Sequence, residues 1–204
     1  GMGTGSANEV TTAAREAIRS AQAVFIQTER LPQLQLLMDM NIDWIAVDDL
    51  FDSAKDYAAL NDAVAERLLE SAAQRETAYC VFGSGLEGQQ AAAQAVRQAR
   101  ERGIDVGIIH GVSAAAATAA LAGHADGYSV HYGALDMLRV DTGRAAVLAD
   151  MDRQVKAAEL KVQLMELYNA DTPVLVADFK SDGPETREIQ LYELDRMNEY
   201  TPYT

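Results

Sequence analysis

The chain has 204 residues, 49% of them hydrophobic, and its 31 acidic residues outnumber 17 basic ones to give a net charge of −14. The composition is that of a globular protein, and the acidic balance argues against a nucleic-acid partner because phosphate binding needs a dense Lys and Arg surface. No stretch approaches the ~20 unbroken apolar residues of a membrane span, and no signal peptide precedes the first predicted helix.

Helices and strands alternate in the first part of the sequence. Apolar residues recur at helical spacing in several segments, and shorter apolar runs between them are typical of buried strands. The predicted helices are 9–21, 31–40, 57–68, 86–102 and 113–122, and the predicted strands are 23–27, 42–47, 77–82 and 105–109. The acidic segment 48–56 is predicted to be a solvated linker. This alternation favours a mostly parallel sheet covered on both faces.

The pattern changes near Gly123. Four predicted strands follow, at 128–132, 144–149, 173–179 and 186–191. Only one substantial helix, 153–168, lies among them, and turn-forming residues separate the strands, which favours a mixed or antiparallel sheet. Five apolar residues at helical spacing on that helix are assigned to core packing: Val155, Ala158, Val162, Met165 and Tyr168.

These two patterns predict an α/β protein of two lobes. The N-terminal α/β lobe is expected to span residues 1–124 and the C-terminal α+β lobe residues 125–204. Ligands of such chains often bind between the lobes, so a cleft is expected there.

Few side chains suggest chemistry by themselves. The single cysteine, Cys80, lies in a predicted strand and cannot form an internal disulfide, so it indicates a buried thiol and a cytoplasmic protein. His110, His124 and His131 are too scattered to form a metal site, and no metal is expected. No catalytic residue can be assigned from the sequence.

Three glycine-rich loops stand out, at 1–6, 83–88 and 110–117. In an open parallel sheet each would lie at the carboxyl edge of a strand, where helix N-termini offer N–H groups to a ligand. We therefore expect the loops to converge into one site. Any one of them alone is more typical of an ordinary turn between a strand and a helix.

The second loop also resembles the turn that holds a dinucleotide. The stretch CVFGSGLEG, residues 80–88, contains Gly-x-Gly-x-x-Gly between a predicted strand and a predicted helix. In a dinucleotide fold the next strand ends in an Asp or Glu about 20 residues on. Here that position is taken by His110 and Gly111, which argues against NAD.

Taken in order, these segments resemble the tetrapyrrole (corrin and porphyrin) methylase family. GMGTGSA with EVTTAAREAIRSAQAVFIQTER resembles the family's first glycine loop, helix and second strand. IIHGVSAAAATAALAG is similar to its Pro-Gly-Val-Ser-Ser segment and the helix that follows. The closing ELKVQLMELYNADTPVLVADF and LYELDRM look most like the branch fused ahead of MazG-type nucleotide pyrophosphohydrolases.

The resemblance implies a two-lobed fold and S-adenosylmethionine as cofactor. It also implies a small-molecule methyl acceptor, for example a tetrapyrrole, a homodimer, and a functional link to a nucleotide pyrophosphohydrolase. A first strand is implied ahead of Gly1. The implied cofactor contacts are Gly3, Gly5, Gly83, Ser84, Gly111, Val112, Ser113 and Met165.

The loops also depart from the family pattern. Ser6 stands where the first loop usually has Asp, Ser84 and Gly85 replace Asp or His and Pro in the second, and His110 replaces a Pro in the third. A serine hydroxyl does not accept a proton at neutral pH without an activating base. Two interpretations follow: a methyltransferase, or a non-catalytic cofactor-binding or interaction domain derived from that family.

Overall fold

The computed structural model describes residues 1–124, 127–132 and 140–204. Within these ranges the contacts divide the chain into two compact units, Gly1–Ser113 and Ala114–Thr204. The predicted lobe boundary between residues 124 and 125 touches a segment outside the described ranges and stays a prediction. Across the described helices, none is long and apolar enough to cross a bilayer.

Helices and strands alternate along the described chain. The α-helices are α1 (Thr12–Ser20), α2 (Leu34–Asp39), α3 (Asp49–Ser53), α4 (Tyr57–Ala72), α5 (Gln90–Glu101), α6 (Ala114–Leu121) and α7 (Gln154–Leu164). The strands are β1 (Ala23–Ile26), β2 (Ile45–Ala46), β3 (Thr77–Cys80), β4 (Tyr128–Tyr132), β5 (Ala145–Ala149), β6 (Pro173–Lys180) and β7 (Gly183–Gln190). Short 3-10 helices at Ala7–Glu9 and Leu191–Arg196 complete the order.

The first unit contains a three-stranded parallel sheet with the order β2-β1-β3. All four residues of the central strand β1 are buried, and Phe25 pairs with Ile45 on one side and Tyr79 on the other. The core formed with α4 contains Ala23, Phe25, Val47, Leu60, Val64 and Leu68. The predicted parallel arrangement is confirmed, and it places the loops after the strands at one edge of the sheet.

Several predictions in this unit were inaccurate. Helix α1 begins at Thr12 rather than Glu9, because the Thr11 hydroxyl accepts a hydrogen bond from the N–H of Ala14 (3.2 Å) and caps the helix there. The acidic segment 48–56 contains α3. The predicted strand 105–109 does not form a strand, and the backbone just after β3 is bonded to residues 2–3.

The second unit has two small sheets of opposite kind. β4 and β5 pair in parallel, whereas β6 and β7 form an antiparallel hairpin. The predicted mixed or antiparallel pairing is therefore confirmed, although the parallel and antiparallel pairs form two separate sheets. Helix α6 packs on β5 through Ala115 and Ala119, which contact Val147.

The core face of α7 differs from the prediction. Val155 and Val162 are 64% and 61% exposed, and Met165, just after the helix, is 43% exposed. Their assignment to the core was wrong, although Tyr168 does pack against it. The buried face is instead formed by three residues that also recur at helical spacing: Ala157, Leu160 and Leu164. The helix carries two apolar stripes, and spacing alone does not show which one packs.

Candidate functional site

The first and second glycine loops are joined by their main chains. The N–H of Gly3 donates to the carbonyl oxygen of Gly83 at 3.2 Å, and the N–H of Gly83 donates back to Gly3 at 2.9 Å. Both residues have positive φ angles, +76° and +73°, in the left-handed region that favours glycine. The bridge therefore depends on glycine conformations in both loops.

The third loop meets the other two at Gly111. A Cβ atom built on Gly111 would lie 2.5 Å from the carbonyl oxygen of Gly83 and 2.6 Å from the nitrogen of Gly3. Beside it, the main-chain nitrogen of Gly1 donates to the carbonyl oxygen of Ile109 at 2.6 Å. The predicted convergence of the three loops is confirmed, and we call this meeting point, formed by Gly3, Gly83 and Gly111, the three-loop junction.

The three glycine loops carry main-chain donors that other described residues do not use. Gly5 and Gly85 are buried residues, yet within the described part of the chain no hydrogen bond uses the N–H groups of Gly5, Gly85 or Gly111. Buried backbone N–H groups are almost always paired. Unpaired donors beside closely packed glycines are suited to the oxygen atoms of a polar ligand, for example carboxylate or hydroxyl oxygens.

The other predicted contact residues lie in the second loop, in the third loop and in the second unit. Ser84 follows Gly83 in the second loop, and Val112 and Ser113 follow Gly111 in the third, with Val112 39% exposed. Met165 lies in the second unit, at the end of α7. Its proposed position beside the adenine stays a prediction.

A polar contact links the second and third loops. The Ser84 hydroxyl lies 3.4 Å from Nδ1 of His110. Both residues are departures from the family motif quoted above, so their contact could not be read from that motif. It brings the imidazole to the edge of the three-loop junction.

The sequence interpretation missed two residues that hold the first loop. The N–H and the hydroxyl of the buried Thr4 both donate to Oε2 of Glu9, at 2.8 and 2.5 Å. From the segment before α2, the amide of Gln33 donates to the carbonyl oxygen of Gly3 at 2.9 Å, and its Oε1 has no hydrogen-bond partner among the described residues. Of these two residues, only Glu9 could be expected from the sequence, because it follows Thr4 closely enough for its side chain to bond back to the loop.

Cys80 ends β3, a few residues before the second loop. It is 4% exposed, and burial raises the pKa of its thiol to about 12. At neutral pH such a thiol is protonated and a poor nucleophile. The described residues also contain no group of three or more His, Cys, Asp and Glu side chains that could hold a metal ion.

Comparison with known proteins identifies the fold. The family model described as tetrapyrrole (corrin/porphyrin) methylases matches residues 1–179. Uroporphyrin-III-C-methyltransferase from Thermus thermophilus aligns with a TM-score of 0.69 and 19% identity, over 94% of this chain and 84% of that one. Diphthine synthase aligns with a TM-score of 0.62 and 15% identity, over 97% of this chain and 82% of that one.

A curated relative is considerably longer. The chain is 22% identical over 200 residues to the uncharacterized protein YabN of Bacillus subtilis (strain 168), covering 96% of this chain. It spans 41% of that relative's length. The family match over residues 1–179, together with the glycine loops meeting at one edge of the sheet, shows that the chain belongs to the tetrapyrrole (corrin/porphyrin) methylase family.

Proposed function

We propose that this chain binds S-adenosylmethionine at the three-loop junction and transfers its methyl group to a small-molecule acceptor. Enzymes of this family use S-adenosylmethionine as methyl donor. The observation that carries the proposal is the set of unpaired N–H groups of Gly5, Gly85 and Gly111 beside tightly packed glycines. These donors suit the oxygen atoms of the cofactor, and glycine leaves room for close backbone approach.

The proposed cofactor contacts lie in all three loops, with one in the second unit. They are Gly3, Gly5, Gly83, Ser84, Gly111, Val112, Ser113 and Met165. The sulfonium of the bound cofactor would supply an already activated methyl group. The contribution of the protein is therefore to bind and align the two reactants, which rigid main-chain loops can do.

The proposed acceptor is a small molecule, for example a tetrapyrrole. The resemblance to the porphyrin and corrin methylases supports this class. The net charge of −14 would repel a tetrapyrrole that bears several carboxylates. An acceptor with few carboxylates is therefore favoured over a highly carboxylated one.

A second function, a non-catalytic cofactor-binding or interaction domain, is favoured by one observation. The Ser6 hydroxyl, which stands where the family usually has Asp, accepts a hydrogen bond from the N–H of Asn8 at 3.2 Å and so caps the first 3-10 helix. A hydroxyl used in this way offers no base for catalysis.

Further proposals concern the assembly of the chain, its location and its relatives. The chain is proposed to be homodimeric and cytoplasmic, and to belong to the branch fused ahead of MazG-type nucleotide pyrophosphohydrolases. The closing segments ELKVQLMELYNADTPVLVADF and LYELDRM support that branch, and the greater length of YabN is compatible with it. A functional link to such a pyrophosphohydrolase is proposed on the same ground.

Calorimetric titration with S-adenosylmethionine, S-adenosylhomocysteine and NAD tests the proposed binding. We expect heat with the first two, none with NAD, and none with any ligand in a Gly111→Trp variant that remains folded. A radiolabelled methyl-transfer assay with porphyrin and corrin precursors then separates the two functions. Binding without transfer to any acceptor favours the non-catalytic domain, whereas failure to bind either methionine derivative contradicts the proposal.

A further inference from the structure

The first loop encloses a carboxylate. The side chain of Glu9 turns back from the first 3-10 helix, and its Oε2 accepts hydrogen bonds from both the N–H and the hydroxyl of Thr4. Thr4 is 2% exposed, so two fixed donors hold this carboxylate against the loop. The position of the negative charge is therefore set by the fold.

This carboxylate lies next to the three-loop junction. A Cβ built on Gly3 would lie 2.9 Å from the Cβ of Glu9, so the two residues are in direct contact. Gly3 in turn bonds to Gly83 and approaches Gly111. A ligand at the junction would be separated from Glu9 by little more than the backbone of the first loop.

Among the described residues, no Lys or Arg side chain neutralises this charge, and the ammonium group of Gly1 donates to the carbonyl oxygen of Ile109 instead. Loops 1–6, 83–88 and 110–117 contain no Lys or Arg. In the chain as described, no side-chain cation forms an ion pair with Glu9. Arg15, on α1, donates to the carbonyl oxygens of Ala7 and Val10 rather than to Glu9. The second loop adds a further acid, Glu87, so the side chains of this region favour positive charge.

We propose that Glu9 gives the three-loop junction a preference for a cationic ligand, so that the sulfonium S-adenosylmethionine binds more tightly than its neutral product S-adenosylhomocysteine. The inference rests on the proposed function and makes Glu9 a specificity-determining residue. The two ligands differ at the sulfur by one methyl group and one unit of charge. A fixed carboxylate near the site stabilises the charged form by Coulomb attraction, which the neutral thioether lacks.

The test measures both dissociation constants by calorimetry on the intact chain, before and after Glu9→Gln. The amide keeps the size and one acceptor oxygen but removes the charge. We expect the preference for the sulfonium over the thioether to fall by roughly three- to tenfold, as for a unit charge acting through a partly solvated loop. Glu16→Gln, at an exposed residue of α1, is the matched control and should leave the preference unchanged.

The binding results distinguish failure of the inference from failure of the proposed function. Binding of both ligands with the same preference in Glu9→Gln and the unaltered chain overturns the inference and leaves the proposed function intact. Binding of neither ligand to the unaltered chain overturns the proposed function and the inference with it. Thermal melting shows whether Glu9→Gln folds. If Glu9→Gln does not fold, both dissociation constants are measured on the unaltered chain at rising concentrations of sodium chloride. A preference due to charge must shrink as the salt approaches about 1 M, and an unchanged preference overturns the inference.

Discussion

The side-chain amide of Gln33 donates a 2.9 Å hydrogen bond to the carbonyl oxygen of Gly3. The same oxygen accepts a bond from the N–H of Gly83, also at 2.9 Å. Gln33 is 1% exposed, so its amide is a buried connection between the segment before α2 and the first loop.

We expect Gln33→Met to destabilise the protein by about 0.5–1.5 kcal/mol. The variant removes the bond to Gly3, and it also removes Oε1, whose unpaired burial offsets part of the loss. Urea unfolding measures the change. Gln35→Met, at an exposed residue whose side chain bonds to Asp39, should change the stability by less than about 0.5 kcal/mol. Equal losses in the two variants would contradict a structural role for Gln33.

Gly111→Ala should disrupt the three-loop junction. Its methyl group would meet the main-chain atoms of Gly83 and Gly3 at 2.5 and 2.6 Å, and backbone cannot move aside cheaply. Overpacking of this kind costs about 1–3 kcal/mol, so we expect a lower melting temperature together with weaker binding of S-adenosylmethionine.

The matched control for that variant is Gly107→Ala. A Cβ at Gly107 meets nothing within 4 Å, and its φ is not in the left-handed region. We expect unchanged ligand affinity and stability within about 0.5 kcal/mol. A ligand affinity in Gly111→Ala equal to that in Gly107→Ala would show that the junction does not contribute to the binding site.

Stability should fall in alkaline solution because of Cys80. Burial raises the pKa of its thiol from 9.0 to about 12, so between these values the folded chain keeps a proton that the unfolded chain releases. The free energy of unfolding therefore falls as the pH rises through this window, by about 1.4 kcal/mol at one unit above the unfolded pKa. Burial also raises the pKa of Tyr79 above its usual range, which adds to the loss at higher pH.

Urea unfolding near pH 8 and pH 10, about one unit on either side of the unfolded pKa, measures this effect. The difference between the two pH values should be smaller in Cys80→Ala, which is less stable at both. An identical pH dependence in the variant and the unaltered chain would show that the thiol is not responsible.

The two apolar stripes of α7 should respond differently to truncation. Leu160 is 2% exposed and packs in the core of the second unit, so Leu160→Ala should cost about 2–5 kcal/mol. Val162 is 61% exposed, and Val162→Ala should change the stability by less than about 0.5 kcal/mol. Chemical denaturation compares them directly. A large loss in Val162→Ala alone would restore the core assignment made from the sequence.

The sequence predicts those helices and strands whose limits are set by residues close to them in the chain. The sequence predicts strand 128–132 with the bounds that β4 has, because Tyr128, Val130 and Tyr132 alternate with polar residues between two glycines. The choice between the two stripes of α7 could not be predicted, since both have helical spacing and only packing against Leu191 and Leu194 decides. Tertiary contacts override periodicity in such a case.

The candidate site likewise has features that the sequence predicts and features that it does not. The three glycine loops could be found because glycine is visible in the sequence, and their order along a parallel sheet predicts that they meet. The bond from Gln33 to Gly3 spans a strand and a loop, and glutamine at that position carries no signal of its own. The contact between Ser84 and His110 likewise depends on how closely two loops approach.

The bridge between Gly3 and Gly83 uses only main-chain atoms, and Gly111 fits beside it only because it has no side chain. The side chains at Ser6, Ser84 and His110 can therefore be exchanged without altering the backbone contacts that bring the loops together. A chain can lack the acidic, histidine and proline residues of its family's motif and still keep the backbone contacts between the three loops. Searches for distant members should therefore give more weight to the spacing of the glycines than to the residues between them.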